Sequence, residues 1–261
     1  IRTAGQLLIL TDQGAHRSTF VGPPFIHQFE RVSSACGLIA RKAVVDTPAG
    51  VFWMSGSGFF TYDGSSVREI QCDVHDKVFS DLNPAQISKC WAVANGPNGE
   101  VWFYYPSANS TEIDRYVVFD YKEGHWSMGA LARTAGIDRG VFKTPVWGDP
   151  DGSIYNHEVG FNYDGGEVYA ESGPFKIGAG ENLAVVTSLI PDELNLGDVT
   201  TTFKTRLYPT STETSHGPYT LTQPTSVRLQ GRQVRMKVTG NTPSAWRVGK
   251  FRFEAKPGGK R

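Results

Sequence analysis

Val51-Phe52-Trp53, Val101-Trp102-Phe103 and Pro145-Val146-Trp147 each open a block of one design, and Leu7-Leu8-Ile9-Leu10-Thr11-Asp12-Gln13-Gly14 opens the series before them. The block recurs every 44 to 50 residues. Its second half reads Phe60-Thr61-Tyr62-Asp63-Gly64, then Val117-Val118-Phe119-Asp120-Tyr121, then Ile154-Tyr155-Asn156-His157-Glu158. An aromatic-rich strand, a turn and a second strand ending in an aromatic residue are thus repeated at about 40–50 residues, the length of one β-propeller blade. A single four-stranded blade cannot cover both of its faces and is stabilised by stacking on its neighbours, for which aromatic residues at equivalent places supply the packing. Three aromatic hairpins in a β-sandwich are the plainer alternative. The expected fold class is all-β: β-propeller-like blades over residues 1–170, making an incomplete ring of about four blocks, then a β-sandwich-like region with basic strands over 171–261, with strands that close a larger β assembly as the alternative for that region.

Composition agrees with this and says little about chemistry. A chain of 261 residues can bury a substantial core in one large or two modest domains. Its 29 glycines and 15 prolines fit many turns and fall short of disorder. Lys+Arg and Asp+Glu are 26 each, so the whole chain gives no reason to expect general nucleic-acid affinity. No apolar run approaches 18 residues, so no membrane span is expected. Cys36, Cys72 and Cys90 are odd in number and widely spaced, which fits neither a disulfide framework nor a zinc site, and reduced thiols are expected. No charged stretch followed by an apolar core opens the chain, so a standard secretion signal is not expected, and the start at Ile1 reads as a processed product or a segment of a longer protein.

Turn chemistry punctuates the strands. Thr11-Asp12-Gln13-Gly14 and Tyr62-Asp63-Gly64-Ser65 place Asp and Gly where turns need a local acceptor and a positive φ. Asn95-Gly96-Pro97-Asn98-Gly99 joins Lys89–Ala94 to Glu100–Tyr105 as a hairpin. One helix is expected, Asp73–Leu82, capped by Asp73, with Val74, Val78 and Leu82 on one face and Asn83-Pro84 as its stop. Beyond about Ser172, four strands are expected at Glu181–Ile190, Thr200–Tyr208, Ser226–Thr239 and Trp246–Ala255. Val227, Leu229, Val234, Met236 and Val238 would face a core, with Arg228, Arg235 and Lys237 pointing away.

Charge is unevenly spread. Residues 227–261 hold ten basic groups (Arg228, Arg232, Arg235, Lys237, Arg247, Lys250, Arg252, Lys256, Lys260, Arg261) against the single acid Glu254. The first 226 residues hold 16 basic and 25 acidic groups. A segment of +9 on a body of −9 invites head-to-tail contact between copies. The alternatives are a solvated strand face and direct phosphate binding, the latter weakened because only Trp246, Phe251 and Phe253 interleave with the charges. Arg228, Arg232, Arg235, Lys237 and Arg247 are the candidate subunit-interface residues.

Catalytic, cofactor and metal signatures are thin. No phosphate loop is present, and Gly178-Ala179-Gly180 lacks the third glycine of a dinucleotide fingerprint. Met54-Ser55-Gly56-Ser57-Gly58 has Ser where a nucleophile elbow needs its first Gly, and reads as a turn between strands. His16, His27, His125, His157 and His216 stand apart, and His75 lacks the i, i+4 partner of a helical zinc site. Asp149-Pro150-Asp151-Gly152 reads as a tight turn, with a calcium loop as the less favoured reading of the same residues. Many carboxylates, Asp149, Asp151 and Glu158 among them, leave a glycosidase pair open. No catalytic residue, cofactor or metal site is expected.

The run Glu100-Val101-Trp102-Phe103-Tyr104-Tyr105-Pro106-Ser107, continuing through Thr111-Glu112-Ile113-Asp114-Arg115-Tyr116-Val117-Val118-Phe119-Asp120-Tyr121 to Trp126, resembles virion proteins of short-tailed bacteriophages. These are the tail nozzle or tail hub proteins, related to tail tubular and packaged-DNA-stabilising proteins. The helix Val74–Leu82 resembles theirs, as do Gly231-Arg232-Gln233-Val234-Arg235-Met236-Lys237, Trp246-Arg247-Val248-Gly249 and Lys256-Pro257-Gly258-Gly259-Lys260-Arg261. The likeness runs in separate stretches from about Val51 onward. It implies a β-propeller-based homo-oligomer in the virion tail, assembled in the host cytoplasm as a six-fold ring below the head-to-tail connector. Its partners would be other copies of itself, the connector or adaptor, and tail fibre or spike proteins, with DNA only in transit through the lumen. It implies no catalytic residues. Members of the group are often much longer than this chain.

Two other classes compete. A carbohydrate-binding or glycan-degrading β-propeller would show Trp53, Trp102, Trp126 or Trp147 exposed beside carboxylates, whereas buried tryptophans favour a scaffold. A cellular peptide-binding propeller would carry the repeated Trp-Asp ending that is missing here.

Overall fold

A computed structural model describes residues 1–3, 6–163, 166–176 and 182–259. The chain divides into two compact units, Ile1–Val159 and Gly160–Arg261, so the boundary falls before the position near residue 170 expected from the change in strand pattern. The strand β16 (Tyr169–Glu171) explains the difference, because it pairs with a strand of the second unit, Tyr169 opposite Thr239 and Glu171 opposite Lys237.

The first unit consists of antiparallel sheets that follow the chain order. The first holds β1 (Arg2–Thr3), β2 (Gln6–Leu10), β3 (Gly14–Gly22) and β4 (Ile26–Ser34), and the second β5 (Val44–Thr47), β6 (Gly50–Met54), β7 (Phe59–Tyr62) and β8 (Val67–Ile70). The third holds β9 (Trp91–Asn95), β10 (Glu100–Tyr105), β11 (Arg115–Asp120) and β12 (His125–Ala130). The fourth has β13 (Ala135–Ile137), β14 (Val146–Gly148) and β15 (Ile154–Asn156). Each sheet is an up-and-down meander, the design of a propeller blade.

Alternation along the central strands explains why these segments are aromatic throughout. On β6, Val51 and Trp53 pack with Leu8 and Ala15 of the first sheet, while Phe52 and Met54 pack with Phe103 and Val117 of the third. On β10, Phe103 and Tyr105 face the second sheet, while Tyr104 packs against Trp147 of the fourth. Successive side chains of a strand point to opposite faces, so a sheet covered on both sides needs apolar residues at every position. Full burial of each such side chain stabilises by roughly 1.5–3 kcal/mol. Two of the indole N–H groups here find main-chain acceptors: Trp53 Nε1 donates to the Cys36 carbonyl at 2.8 Å and Trp91 Nε1 to the Arg133 carbonyl at 2.7 Å, whereas the buried Trp147 Nε1 has no hydrogen-bond partner among the described residues.

Between the second and third sheets lies α1 (His75–Asp81), followed by a 3-10 helix at Pro84–Lys89. Val78 is buried in the core, with Val74 and Leu82 packed against it, as the i, i+4, i+8 spacing predicts. The cap differs from expectation. Val74 occupies the N-cap position without any side-chain hydrogen bond, and Asp73 lies outside the helix. Asn83 is the capping residue instead, its Oδ1 accepting from the Ala85 N–H at 3.0 Å at the start of the 3-10 helix.

The second unit is a two-sheet β-sandwich. One sheet runs in the order β16, β22 (Gln233–Gly240), β19 (Val199–Arg206), β20 (Thr214–Thr220), with β17 (Phe175–Lys176) also pairing β22. The other is β21 (Thr225–Gly231), β18 (Ala184–Ile190), β23 (Arg252–Pro257). Val186, Leu189, Val227 and Leu229 of the second sheet meet Val199, Phe203, Val234 and Val238 of the first in one core. The expected continuous strand Ser226–Thr239 is two strands in different sheets, broken at Arg232. Strand β20 was not expected at all, and Glu181 lies outside the described residues.

Candidate functional site

The five candidate interface residues do not share one face. Arg235 and Lys237 lie on β22, turned away from the core that Val234 and Val238 enter. Arg228 lies on β21 of the opposite sheet, exposed between the core residues Val227 and Leu229. Arg232 sits at the break between the two strands, its guanidinium 5.0 Å over the Tyr208 ring. Arg247 is exposed before β23, its carbonyl accepting from the Leu194 N–H at 3.0 Å.

The β22 face is also not the uncompensated basic surface expected of residues 227–261. Glu171 on β16 receives Lys204 Nζ at 3.0 Å and lies 3.6 Å from Arg235 Nη1. Glu213 Oε1 lies 3.7 Å from Arg235 Nε. Lys237 Nζ donates to Glu167 Oε2 at 2.5 Å and sits 4.2 Å over the Tyr169 ring. Burial works against ionisation of Glu171, but the Lys204 hydrogen bond and the Lys204 and Arg235 charges together hold its pKa below the ordinary carboxylate value. All three acids come from outside the basic segment, brought beside it by strand pairing. Across residues 160–261 there are 13 basic and 9 acidic groups, a net of +4.

The cations left over lie elsewhere. Arg228 on β21 and Arg252 and Lys256 on β23 flank β18 on the outer face of the three-stranded sheet, with Glu254 the one acid among them. Among the described residues neither Arg228 nor Arg247 makes an ion pair. This strand-alternating set is legible in the sequence once β21 and β23 are known to border one strand. Lys260 and Arg261 lie outside the described residues.

The tryptophans belong to the packing. Trp53 and Trp147 are fully buried. Trp126 Nε1 donates to the Gln71 carbonyl at 2.8 Å, and its ring lies 4.7 Å from those of Phe59 and Phe119. Trp102 Nε1 donates to Glu100 Oε2 at 2.9 Å, while its ring is held by Tyr116 at 4.7 Å and Trp147 at 5.0 Å. Burial raises the Glu100 pKa, and the hydrogen bonds from Trp102 and Asn95 oppose that rise. His157, read as isolated in sequence, is part of this packing: its Nε2 accepts from Arg133 Nε at 2.9 Å and its ring lies 3.8 Å from Trp147.

Ser57, His75 and Asp76 come together in a way that superficially resembles a nucleophile with its base. His75 Nδ1 contacts Asp76 Oδ1 at 3.0 Å, but Nε2 meets the main-chain carbonyl of Ser57 at 3.0 Å, not its hydroxyl. Both ring nitrogens face acceptors, so the Asp76 hydrogen bond and then the Ser57 carbonyl raise the His75 pKa and favour imidazolium. The Ser55 N–H donates to the Gly58 carbonyl at 2.8 Å, which makes 55–58 a hairpin turn. In the turn at Asp149, the Asp149 carboxylate accepts from the N–H groups of Asp151 at 3.1 Å and Ser153 at 3.2 Å, and Gly152 has φ +93°. Among the described residues no group of three or more His, Cys, Asp or Glu could hold a metal ion. Gly178-Ala179-Gly180 lies outside them.

The three cysteines are free thiols; burial pushes the pKa of Cys72 up to about 11 and that of Cys90 up to about 12. Among the described residues no helix is long and apolar enough to cross a membrane. Comparison of the chain with models of known protein families and with curated proteins finds no match.

Proposed function

We propose that this chain is a structural virion protein of a short-tailed phage, part of the ring-shaped nozzle or hub below the head-to-tail connector through which DNA leaves. The observation that carries the reading is the use made of its aromatic residues. Trp53, Phe59, Phe103, Tyr104 and Trp147 are buried between consecutive sheets, where a sugar-binding propeller would present such rings to solvent beside acids. The stretch that resembles tail proteins, Glu100 to Trp126, forms most of the third sheet and is thus central to that packing. In this reading copies associate as a six-fold ring, with the connector or adaptor and tail fibre or spike proteins as neighbours. Arg228 and Arg247 are the first choice for contacts to an acidic face, with Arg232, Arg235 and Lys237 supporting from positions already engaged within the unit.

Electron microscopy of negatively stained purified protein, together with gold-labelled antibody on particles, tests this reading. Rings with a central channel and label at the tail are expected. Label absent from particles, or selective binding to a glycan array, would overturn it in favour of the carbohydrate reading.

A further inference from the structure

Exposed large apolar side chains of the first unit are concentrated at the two ends of its series of sheets. Between Ala35 and Leu131 the one such side chain among the described residues is Ile87. The first sheet, by contrast, exposes Phe20 at 68% and Phe29 at 67%, and the fourth exposes Ile137 at 54% and Ile154 at 74%.

Strand register shows that these belong to the uncovered faces. In the first sheet Leu8 faces the second sheet and lies opposite Arg17, which pairs with Glu30. Leu7, opposite Ser18 and Phe29, therefore looks outward, and Phe20 shares that face. In the fourth sheet Trp147 and Tyr155 are paired, with Trp147 turned to the third sheet. Ile137 opposite Val146, and Ile154 opposite Gly148, consequently look outward. A stacked array that ends in solvent needs a polar outer face on its terminal members. Both ends instead expose large apolar side chains.

We infer that a second copy of this chain covers these faces head to tail, the outer face of the first sheet in one copy packing on the open face of the fourth sheet in the next. The two faces differ, so the contact is heterologous and each copy retains a free end of each kind until a ring or chain forms. It repeats the apolar sheet-on-sheet contact that already joins the second sheet to the first and third. Charge favours the pairing at the β14–β15 end of the fourth sheet: Arg2 and Arg31 are the charged residues on the first sheet's outer face, while Asp149 and Asp151 lie in the β14–β15 turn, with Arg139 and Lys143 in the β13–β14 connection at the opposite end. The inference needs only the sheet stack and stands whether or not the protein is a tail component.

Sedimentation velocity on residues 1–261 tests it. The wild type should form dimers or longer assemblies in a concentration-dependent way. Phe20→Glu with Phe29→Glu, and separately Ile137→Glu with Ile154→Glu, should each give a monomer with an unchanged circular dichroism spectrum. An equimolar mixture of the two should recover dimers and nothing larger, because one intact contact remains available. As a charge-neutral check, a protein with Phe29→Cys and Ile154→Cys should cross-link between copies on oxidation. A wild type that stays monomeric at every concentration, either double variant assembling like wild type, a mixture that fails to recover, or a cysteine pair that gives no inter-copy cross-link would overturn the inference.

Discussion

Trp102 and Trp147 meet as a T-shaped pair, ring centroids 5.0 Å apart and planes at 62°, and through it the third sheet grips the fourth. Trp147 also lies 5.9 Å from Tyr104 and 3.8 Å from His157, so one side chain organises most of this contact. Trp147→Ala is expected to destabilise the first unit by about 3–5 kcal/mol, the cost of emptying a large aromatic site that cannot collapse. Trp147→Phe should recover part of that loss. Urea unfolding followed by tryptophan fluorescence measures both; a near-wild-type midpoint for the alanine variant would mean that the contact is not a packing anchor.

The repeat was readable because both faces of the inner sheets are buried, which forces Val51-Phe52-Trp53 and Val101-Trp102-Phe103 to be apolar without a break. The break at Arg232 was also written in the sequence, in a form easily passed over. Val227 and Leu229 are odd-numbered core residues whereas Val234, Met236 and Val238 are even-numbered, and such a change of phase cannot occur within one regular strand. Strand β20 hid because Thr214–Thr220 lies at a sheet edge and contains Gly217-Pro218, so it carries little apolar alternation. Charge pairing was the least legible feature. Glu167, Glu171 and Glu213 lie at least 15 residues from Arg228 in sequence, and only the sheet order brings Glu171 beside Lys237.

Gly37 passes beneath the β2–β3 turn, where an added Cβ would lie 1.8 Å from the Asp12 carbonyl oxygen. The flanking bonds, Ala35 N–H to the Gln13 carbonyl at 3.0 Å and Leu38 N–H to the Thr11 carbonyl at 2.8 Å, tie the connection between the first two sheets to that turn. Both sides of the clash are backbone. Gly37→Ala should therefore cost roughly 1–3 kcal/mol, the range for overpacking, with larger effects if the turn bonds break. Thermal unfolding by circular dichroism reads the change, and an unaltered midpoint would contradict the close approach.

Glu100 makes a signed prediction about pH. Its folded pKa is raised by burial, so its contribution favours the fold below the ordinary carboxylate value and is lost as pH rises through the raised one. Glu100→Gln removes the buried charge and keeps an oxygen that can accept from Trp102 and Asn95. The variant should be more stable than wild type at neutral pH, with the difference vanishing below about pH 4. Unfolding midpoints of both proteins across that range decide it; a variant that is less stable at neutral pH would show that the carboxylate charge itself holds the site.

Glu171 has the opposite sign. Its folded pKa is lowered in spite of burial, by Lys204 and Arg235, so its contribution is present above the ordinary carboxylate value and lost as pH falls. Glu171→Gln should destabilise the sandwich by up to about 1 kcal/mol at neutral pH and less in acid, given how exposed these partners are. High salt should shrink the difference, since exposed pairs are screened. Equal loss in low and high salt would point to packing instead of charge.

The placement of the arginines separates a fold effect from an assembly effect. Arg235→Glu would set a third carboxylate among Glu171 and Glu213, and is expected to lower the stability of the sandwich itself. Arg228→Glu and Arg247→Glu break no ion pair and should leave folding within about 0.5 kcal/mol of wild type. If these two exposed cations meet an acidic neighbour, the double variant should stay folded yet lose rings or incorporation into particles, most sharply at low salt, where steering between opposite charges is strongest. Gel filtration and electron microscopy of the folded double variant read that outcome. Rings that form with wild-type yield would remove Arg228 and Arg247 from the subunit interface, and would leave the outer face of the three-stranded sheet as a solvated surface.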